Sequence, residues 1–416
     1  MNTAKRVVIT GMGTVNPLGN SVEETWKAVL HGKSGIGPIT RFDASNCTSR
    51  VAGEVKNFDW KAHYSEEWKK TAKRLDRFVH YAAAGVKEAL EQSGLDIARD
   101  PEKVGICLGS GLGGVKIQHD NSAALISGGG RRVSPFYIPG AIGNIASGFM
   151  SMVHGIKGPN MATQTACATA NHAIGVALLM IKAGMADAFI TGGTEGVLEE
   201  IIVNGFCNMR ALSTKYNDTP EKASRPYDAD RDGFVIAEGS GIFILEEYEA
   251  AKERGAEIIC EVLSVGMSGD AHDLVIPDPE GRGAFYSMRM ALDQAGLSGE
   301  ELNYINAHGT ATPLGDVAEA KAIRTLIRGK EDNLAVGSTK SMHGHLLGAA
   351  AGIEGIISAK AVQEDTVPGT INIDNQDPKV PLSCIPTETG KRTVNHALSN
   401  SFGFGGHNSS LVLGKV

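Results

Sequence analysis

The tightest constraint on how this chain folds is that its sequence repeats itself. Residues 89–95 (ALEQSGL) are followed by an apolar strand at 104–108 (VGICL) and a Gly-Ser-Gly turn. Residues 291–297 (ALDQAGL) are followed by a strand at 304–307 (YINA) and then His308, Gly309 and Thr310. In both copies an amphipathic helix stops at a glycine C-cap and feeds a short buried strand. Two further pairs keep the same order: opening strands at 6–10 and 258–265, and closing strands at 241–245 and 410–413. One ALxxxGL match is what chance supplies, but three pairs in one order mark a duplication. The seam falls near residues 250–256 and divides the chain into halves of 1–253 and 254–416. Strands alternate with helices, which predicts an α/β fold with mostly parallel, buried sheets. The runs HAIGVALLMIKAG and LLGAAAGIEGIISAKAV have no clear polar face, so both are expected as central helices packed between layers.

Composition narrows the class. With 416 residues, 42% hydrophobic and 21% charged, the chain reads as a soluble globular protein. A net charge of −7 gives no footprint for nucleic acid. The 52 glycines point to many tight turns and close backbone contacts. Six cysteines stand apart with no CxxC spacing, which favours a reducing, cytoplasmic setting over disulfides or a zinc site. The opening MNTAKRVVITGMG runs straight into an apolar strand without a secretory leader, and no apolar run is long enough for membrane insertion.

Three residues carry the chemistry. Cys167, in TQTACATANHAIG, lies just before a helical run among Ala166, Ala168, Thr169 and Ala170. A thiol at a helix N-terminus sees the positive end of the helix dipole and free N–H groups, which predicts a lowered pKa and a thiolate nucleophile. Its small neighbours leave room for a bulky acyl chain. The other five cysteines read as small buried residues. His308 follows a strand, and His345 follows Lys340 and opens a helix. Two neutral imidazoles can hold a thioester oxygen as it becomes an enolate. Lys340 adds a fixed positive charge, and Glu319 is its expected partner. A metal site is the competing reading, with His343 and His345 in HxH spacing and His308 as a third ligand, but no converging carboxylate is evident. His343 and His407 alone read as satisfied loop or pocket-wall histidines.

Other glycine-rich stretches resolve to structure. Residues 11–19 and 109–114 lack the dinucleotide register or its acidic partner. Residues 228–233 (DADRDG) begin like an EF-hand loop, but the twelfth position is Gly239 and the flanks are not helical, so a turn is expected. Residues 401–406 (SFGFGG) make a pliable loop with bulky tips. A backbone N–H there could complete an oxyanion hole with that of Cys167, and Phe402 could act as a gate.

Together, GPNMATQTACATA, GFCNMRALST, SRPYDADRDGFVIAEGSG, NAHGTATPLGD, STKSMHGHLLGAAAG and NSFGFGGHN resemble the elongating β-ketoacyl-[acyl-carrier-protein] synthases over essentially the whole chain. The resemblance implies the thiolase fold, a duplicated five-layer αβαβα arrangement, and a homodimer without a cofactor. It implies that Cys167 takes an acyl group from acyl-carrier protein and that His308 and His345 assist loss of CO2 from malonyl-carrier protein, whose enolate then attacks the acyl-cysteine. Lys340 and Glu319 would set the electrostatics. Phe402 would be the gating residue, with its N–H in the oxyanion hole. Leu112 and Phe206 fall where the family lines its acyl pocket. Lys69, Lys70, Lys73, Arg74 and Arg77, on one expected helical stretch, fall where it docks the acidic carrier; a solvated charged face is the alternative. Dimerisation is expected at the strand near 188–192. The initiating type III synthases use cysteine, one histidine and asparagine, so the His308/His345 pair sets this chain apart from them. Where relatives often carry threonine this chain has His343 and His407, and residues 270–273 read Asp-Ala-His-Asp in place of a more usual Asp-Ala-Tyr-His. These departures bear on chain length and pantetheine contacts. Polyketide or polyene synthesis, a metal-dependent hydrolase and a non-catalytic partner of another synthase are the rival functions.

Overall fold

A computed structural model describes residues 5–416; the first four residues of the opening segment lie outside it. Ten strands form one continuous sheet. In chain order they are β1 (Val7–Val15), β2 (Val104–Gly109), β3 (Asn160–Met161), β4 (Ala188–Glu195), β5 (Gly239–Glu247), β6 (Cys260–Gly269), β7 (Tyr304–Asn306), β8 (Ala335–Gly337), β9 (His396–Gly403) and β10 (His407–Gly414). Their spatial order is β8-β7-β9-β10-β6-β1-β5-β4-β2-β3. Strands of residues 7–247 occupy one arm and those of 260–414 the other. Read outward from the centre, both arms run through two antiparallel contacts and then two parallel ones. In the sheet the arms are joined where Val8 and Ile9 pair antiparallel with Glu261 and Cys260. That pattern is what a two-fold axis through the β1/β6 contact produces, so the duplication in the sequence is a duplication in space. Strand directions are nonetheless mixed, because each closing strand runs antiparallel to the strand before it, through a tight turn at 404–406 in the second arm and a long connection at 196–238 in the first.

Four long helices complete the layers: α1 (Arg77–Ser93), α2 (Thr169–Lys182), α3 (Arg282–Ala295) and α4 (Ala350–Glu364). α1 covers β1 and β5, and α3 covers their counterparts β6 and β10. Both end as expected, at Gly94 and Gly296 in the left-handed region (φ 61° and 71°). α2 and α4 touch strands of both arms and each other, which makes them the middle of an α-β-α-β-α stack. The missing polar face of α4 is thereby explained: nearly every residue from Ala350 to Val362 is buried.

The expected dimer strand needs correction. Ala188–Glu195 is buried and paired on both sides, with β2 and with β5. The exposed edge of that arm is β3, where Met161 is 37% exposed. Among the described residues, no helix is long and apolar enough to cross a membrane.

Backbone contact sets the spacing of the middle layer. A Cβ at Gly352 on α4 would lie 2.5 Å from the Gly241 carbonyl oxygen, and one at Gly241 would lie 2.2 Å from the Gly352 carbonyl carbon. Gly352→Ala must therefore push α4 off β5 and should lower unfolding stability by about 1–3 kcal/mol. Denaturant melting with no loss of stability would contradict this packing.

Candidate active site

Cys167 sits in a single 3-10 turn, Ala166–Ala168, that opens α2. Ala166 holds φ 48°, an unfavourable left-handed conformation for a residue with a Cβ. Hydrogen bonds keep it there. Thr169 Oγ1 donates to the Ala166 carbonyl (2.6 Å) and accepts from the Thr165 N–H (2.8 Å). The other arm closes over the turn. Ser401 Oγ donates to the Cys167 carbonyl (2.6 Å), and a Cβ at Gly403 would lie 3.0 Å from the Cys167 nitrogen. Burial pushes the Cys167 thiol up to about 12, with Lys340 pulling it back. The thiolate expected from the helix terminus is thus outweighed by loss of solvent, and the resting group is a thiol.

His345 brings Nε2 to 3.0 Å from Cys167 Sγ. The backbone fixes its place: its N–H donates to the Val235 carbonyl (2.7 Å) and its carbonyl accepts from Ala237 (2.9 Å). Among the described residues its Nδ1 has no hydrogen-bond partner. His308, just beyond β7, lies edge-on to it, with ring centroids 5.3 Å apart at 83°. Burial first, and then Lys340, hold both imidazoles well below the ordinary 6.5. Both rings are neutral at physiological pH.

The Lys340–Glu319 expectation is overturned. The Lys340 ammonium is 1% exposed and hydrogen-bonds Glu354 on α4, and its Nζ is 3.5 Å from His308 Nδ1. Glu319 instead accepts the backbone N–H groups of His308 and Gly309 (2.8 Å each) and Asn400 Nδ2 (3.0 Å). It anchors the backbone that carries His308 and leaves the ammonium to Glu354. The metal reading also changes members. Cys167, His308 and His345 offer ligand atoms within 4.8 Å of one another. His343 is turned away, with its nitrogens engaged by the Gly344 carbonyl (2.7 Å) and Thr339 Oγ1 (3.0 Å). A cation held by those three donors would face the Lys340 ammonium.

A cavity of about 550 Å³ opens onto these groups, lined by Cys167, His308, His345, Leu112, Phe206 and Phe402. Phe206 is edge-on to Phe234 (5.3 Å), and Phe234 is edge-on to His345 (5.3 Å). Phe402 is half-buried, with its ring 5.7 Å from that of His308. The cavity is large enough for a flexible apolar chain.

The basic stretch is not one helix. A helix ends at Ala72, and α1 begins only after the N-cap Asp76. Lys70, Lys73 and Arg74 are exposed, and Arg74 stacks on Phe136 (3.8 Å). Lys69 pairs with Glu66 (2.5 Å), and Arg77 turns inward to Glu199 (2.8 Å). The loop at 228–233 is the expected turn, held by Arg225 to Asp228 (2.9 Å) and Arg231 to Asp377 (2.8 Å). Sequence reasoning missed Glu354, although it is the lone acid in the first three turns of an apolar helix. It also missed Asn400 and Glu195, whose contacts are set only by the fold.

A Cys–His contact beside a second neutral imidazole and a buried ammonium, in the wall of an apolar cavity, is equipment for covalent acyl transfer. Residues 4–251 match the beta-ketoacyl synthase N-terminal domain and residues 259–374 its C-terminal domain. The chain belongs to the beta-ketoacyl synthase family. It is 47% identical over 412 residues to a 3-oxoacyl-[acyl-carrier-protein] synthase 2 from Synechocystis sp., covering 99% of this chain and 98% of that one. A beta-ketoacyl synthase from Burkholderia phymatum superposes with a TM-score of 0.91 at 31% identity over 99% of this chain and 100% of that one. A type II polyketide ketosynthase, bound to a hexaketide and in complex with its acyl-carrier protein, gives 0.92 at 28% identity over the whole of both chains. These likenesses carry the thiolase-type fold expected from the sequence.

The raised thiol makes a testable statement. Alkylation of Cys167 by iodoacetamide, followed by intact mass, should keep accelerating as pH rises from neutral past 9.0, by about ten-fold per unit, because the thiolate fraction is still growing. A plateau near neutrality would show a low-pKa thiolate instead.

Proposed function

We propose that the protein is an acyltransferase of fatty-acid elongation, a 3-oxoacyl-[acyl-carrier-protein] synthase, that condenses an acyl group with malonyl-carrier protein to give β-ketoacyl-carrier protein, CO2 and free carrier. The observation that carries the reading is the 3.0 Å contact between Cys167 Sγ and His345 Nε2 inside the cavity. Cys167 attacks the acyl thioester carbonyl as its proton passes to His345. The tetrahedral oxygen is held by the N–H groups of Cys167 and Phe402, and the carrier leaves as a thiol with one proton from the His345 imidazolium, which is left as the neutral Nε2–H tautomer. Malonyl-carrier protein then enters. Its carbon–carboxylate bond breaks to release CO2, and the electron pair becomes an enolate whose oxygen is held by His308 and His345. Lys340 near His308 Nδ1 favours the tautomer with the proton on Nε2, which makes His308 a donor. The enolate carbon attacks the acyl-cysteine, the carbon–carbon bond forms, and Cys167 departs as thiolate, which takes up a proton from solvent.

In the same reading Leu112 and Phe206 line the acyl pocket and Phe402 gates it. Glu319 supports the site by fixing the backbone of His308. The acidic carrier docks on Lys70, Lys73 and Arg74, with Lys69 beside them. The enzyme works in the cytoplasm, where its six free thiols stay reduced. It works as a homodimer joined along the exposed edge strand β3, since such an edge invites pairing with a second copy. No cofactor takes part. The division into halves 1–253 and 254–416 follows the duplication. Polyketide or polyene synthesis with the same chemistry is the second reading, favoured by the hexaketide-bound neighbour at 28% identity against 47% for the Synechocystis relative.

Intact mass after incubation with acyl-carrier protein tests the assignment. Cys167→Ser should take up no acyl group. His308→Ala and His345→Ala should lose malonyl decarboxylation by about 10²–10⁴-fold while Cys167 is retained. Decarboxylation surviving in both variants would remove the two histidines from the mechanism.

The pH dependence follows from the neutral rings. Their depressed pKa values keep both imidazoles unprotonated as pH falls through 6.5. The decarboxylation rate should therefore show no imidazole titration near that value, and a loss with its midpoint at 6.5 would mean that solvent-like histidines control the step.

A further inference from the structure

We infer that Glu195 is a positioning residue that clamps together two walls of the acyl cavity, one from each arm, and thereby sets how sharply the enzyme discriminates acyl chain lengths. This rests on the acyl-transfer reading above. Glu195 ends β4, and its side chain is completely buried. Four donors converge on its carboxylate. Oε1 accepts from Ser110 Oγ (2.9 Å) and the Leu112 N–H (3.3 Å). Oε2 accepts from the Gly111 N–H (2.8 Å) and the Gly348 N–H (2.9 Å). Ser110–Leu112 follow β2 in the first arm. Gly348 lies in the turn Leu347–Ala349 that opens α4 from the second arm.

The two loops touch through their backbones, where a Cβ at Gly348 would lie 2.3 Å from the Gly111 nitrogen, and the carboxylate ties them together there. A Cβ at Gly111 or at Gly348 would come within 2.7 Å of Oε2, so the acid at the first position, and the acid together with the Gly111 backbone at the second, leave room only for glycine. The next residue of one loop and the preceding residue of the other are leucines, and Leu112 and Leu347 both line the cavity that holds Cys167. Two apolar walls from separate arms therefore share one polar anchor. Burial pushes the Glu195 carboxyl up to about 7, and the four donors pull against that shift. A buried carboxylate is tolerated only when it is saturated in this way, so it reports a geometry that must be held rather than space to be filled. Among the described residues Glu195 makes no hydrogen bond to Cys167, His308 or His345; its charge helps to raise the Cys167 thiol, an effect common to every acyl chain, and its effect on chain length passes through the leucines.

Replacing one oxygen by an amide NH2 sets a donor against at least one backbone N–H: that of Leu112 if Ser110 turns to accept, or those of Gly111 and Gly348. Glu195→Gln should therefore loosen the wall without removing a side chain from the cavity. A well-packed apolar wall distinguishes a methylene by roughly ten- to two-hundred-fold. In single-turnover transfer from saturated acyl-carrier proteins of increasing length, read as acyl-Cys167 by intact mass of the full-length enzyme, Glu195→Gln should compress the ratio between the best and poorest chain by about ten-fold. Leu112→Ala should add less in the Glu195→Gln background than in the wild type. A uniform fall for every chain length, as a general loss of stability produces, or an unchanged profile overturns the inference. Should Glu195→Gln not fold, Ser110→Ala removes a single donor: a flattened profile supports the clamp and an unchanged one overturns it. Wild-type enzyme that takes up no acyl group would instead overturn the functional reading, and this inference with it.

Discussion

The buried ammonium of Lys340 is the charge around which the site is arranged. It is 1% exposed, and an unpaired ammonium at that depth costs several kcal/mol. α4 therefore carries Glu354 in the middle of its apolar run, where no solvent-facing role explains it. Burial pushes that carboxyl up, and Lys340 pulls it back. Because the pair is already formed, the ammonium has only a weak claim on His308 Nδ1 at 3.5 Å, enough to orient the ring without protonating it. The same positive charge bears on Cys167 and on both imidazoles. One ion pair thus couples the middle helix of the second arm to the chemistry that opens the middle helix of the first.

The two arms use the same joint for different ends. In each, a residue at φ 48° begins a 3-10 turn that leads into a central helix: Ala166 before α2 and Leu347 before α4. The residue after it is Cys167 in one arm and Gly348 in the other. Each turn is crossed by a segment from the opposite arm: Ser401 and Gly403 lie over the first, and Glu195 holds the second. Symmetry supplied two equivalent elbows at the arm interface. A thiol at one of them gives a reactive centre, and a glycine at the other lets the carboxylate in. The asymmetry of function is written in that one pair of positions.

Much of this was legible before any coordinates, and the reason is local. Helices ending at Gly94 and Gly296, the paired strands and the small-residue runs around Cys167 and His345 are all signals carried within a dozen residues. What failed depended on long-range placement. Glu319 looked like the partner of Lys340 because both stand near catalytic histidines in the chain, yet three donors claim its carboxylate first. The Cys167 thiol was expected to be acidic because the helix end is visible in sequence, while its desolvation is not. The basic stretch looked continuous, although Asp76 before Arg77 is a helix-capping signal that marks the break. The dimer strand expected at 188–192 rested on resemblance alone, and the pairing that buries it comes from β2 and β5, one far behind it in the chain and one far ahead.

A single physical cause runs through both apparent obstacles at the site. Loss of solvent raises the thiol and lowers the imidazoles. Taken alone, the first would make Cys167 a poor nucleophile. Taken with the second, and in the reaction proposed above, it defines when the sulfur becomes one: the proton passes along the 3.0 Å path to His345, so sulfur attack and proton transfer are coupled to the arrival of an acyl group. Neutral rings serve the later step as well. A cationic imidazole beside a nascent enolate would hand it a proton and end in acetyl-carrier protein, whereas a neutral N–H can hold the oxygen and leave the carbon basic. Placing the site deep between the arms keeps water from the acyl-cysteine and sets both protonation states at once, so the depth of the site is itself part of its chemistry.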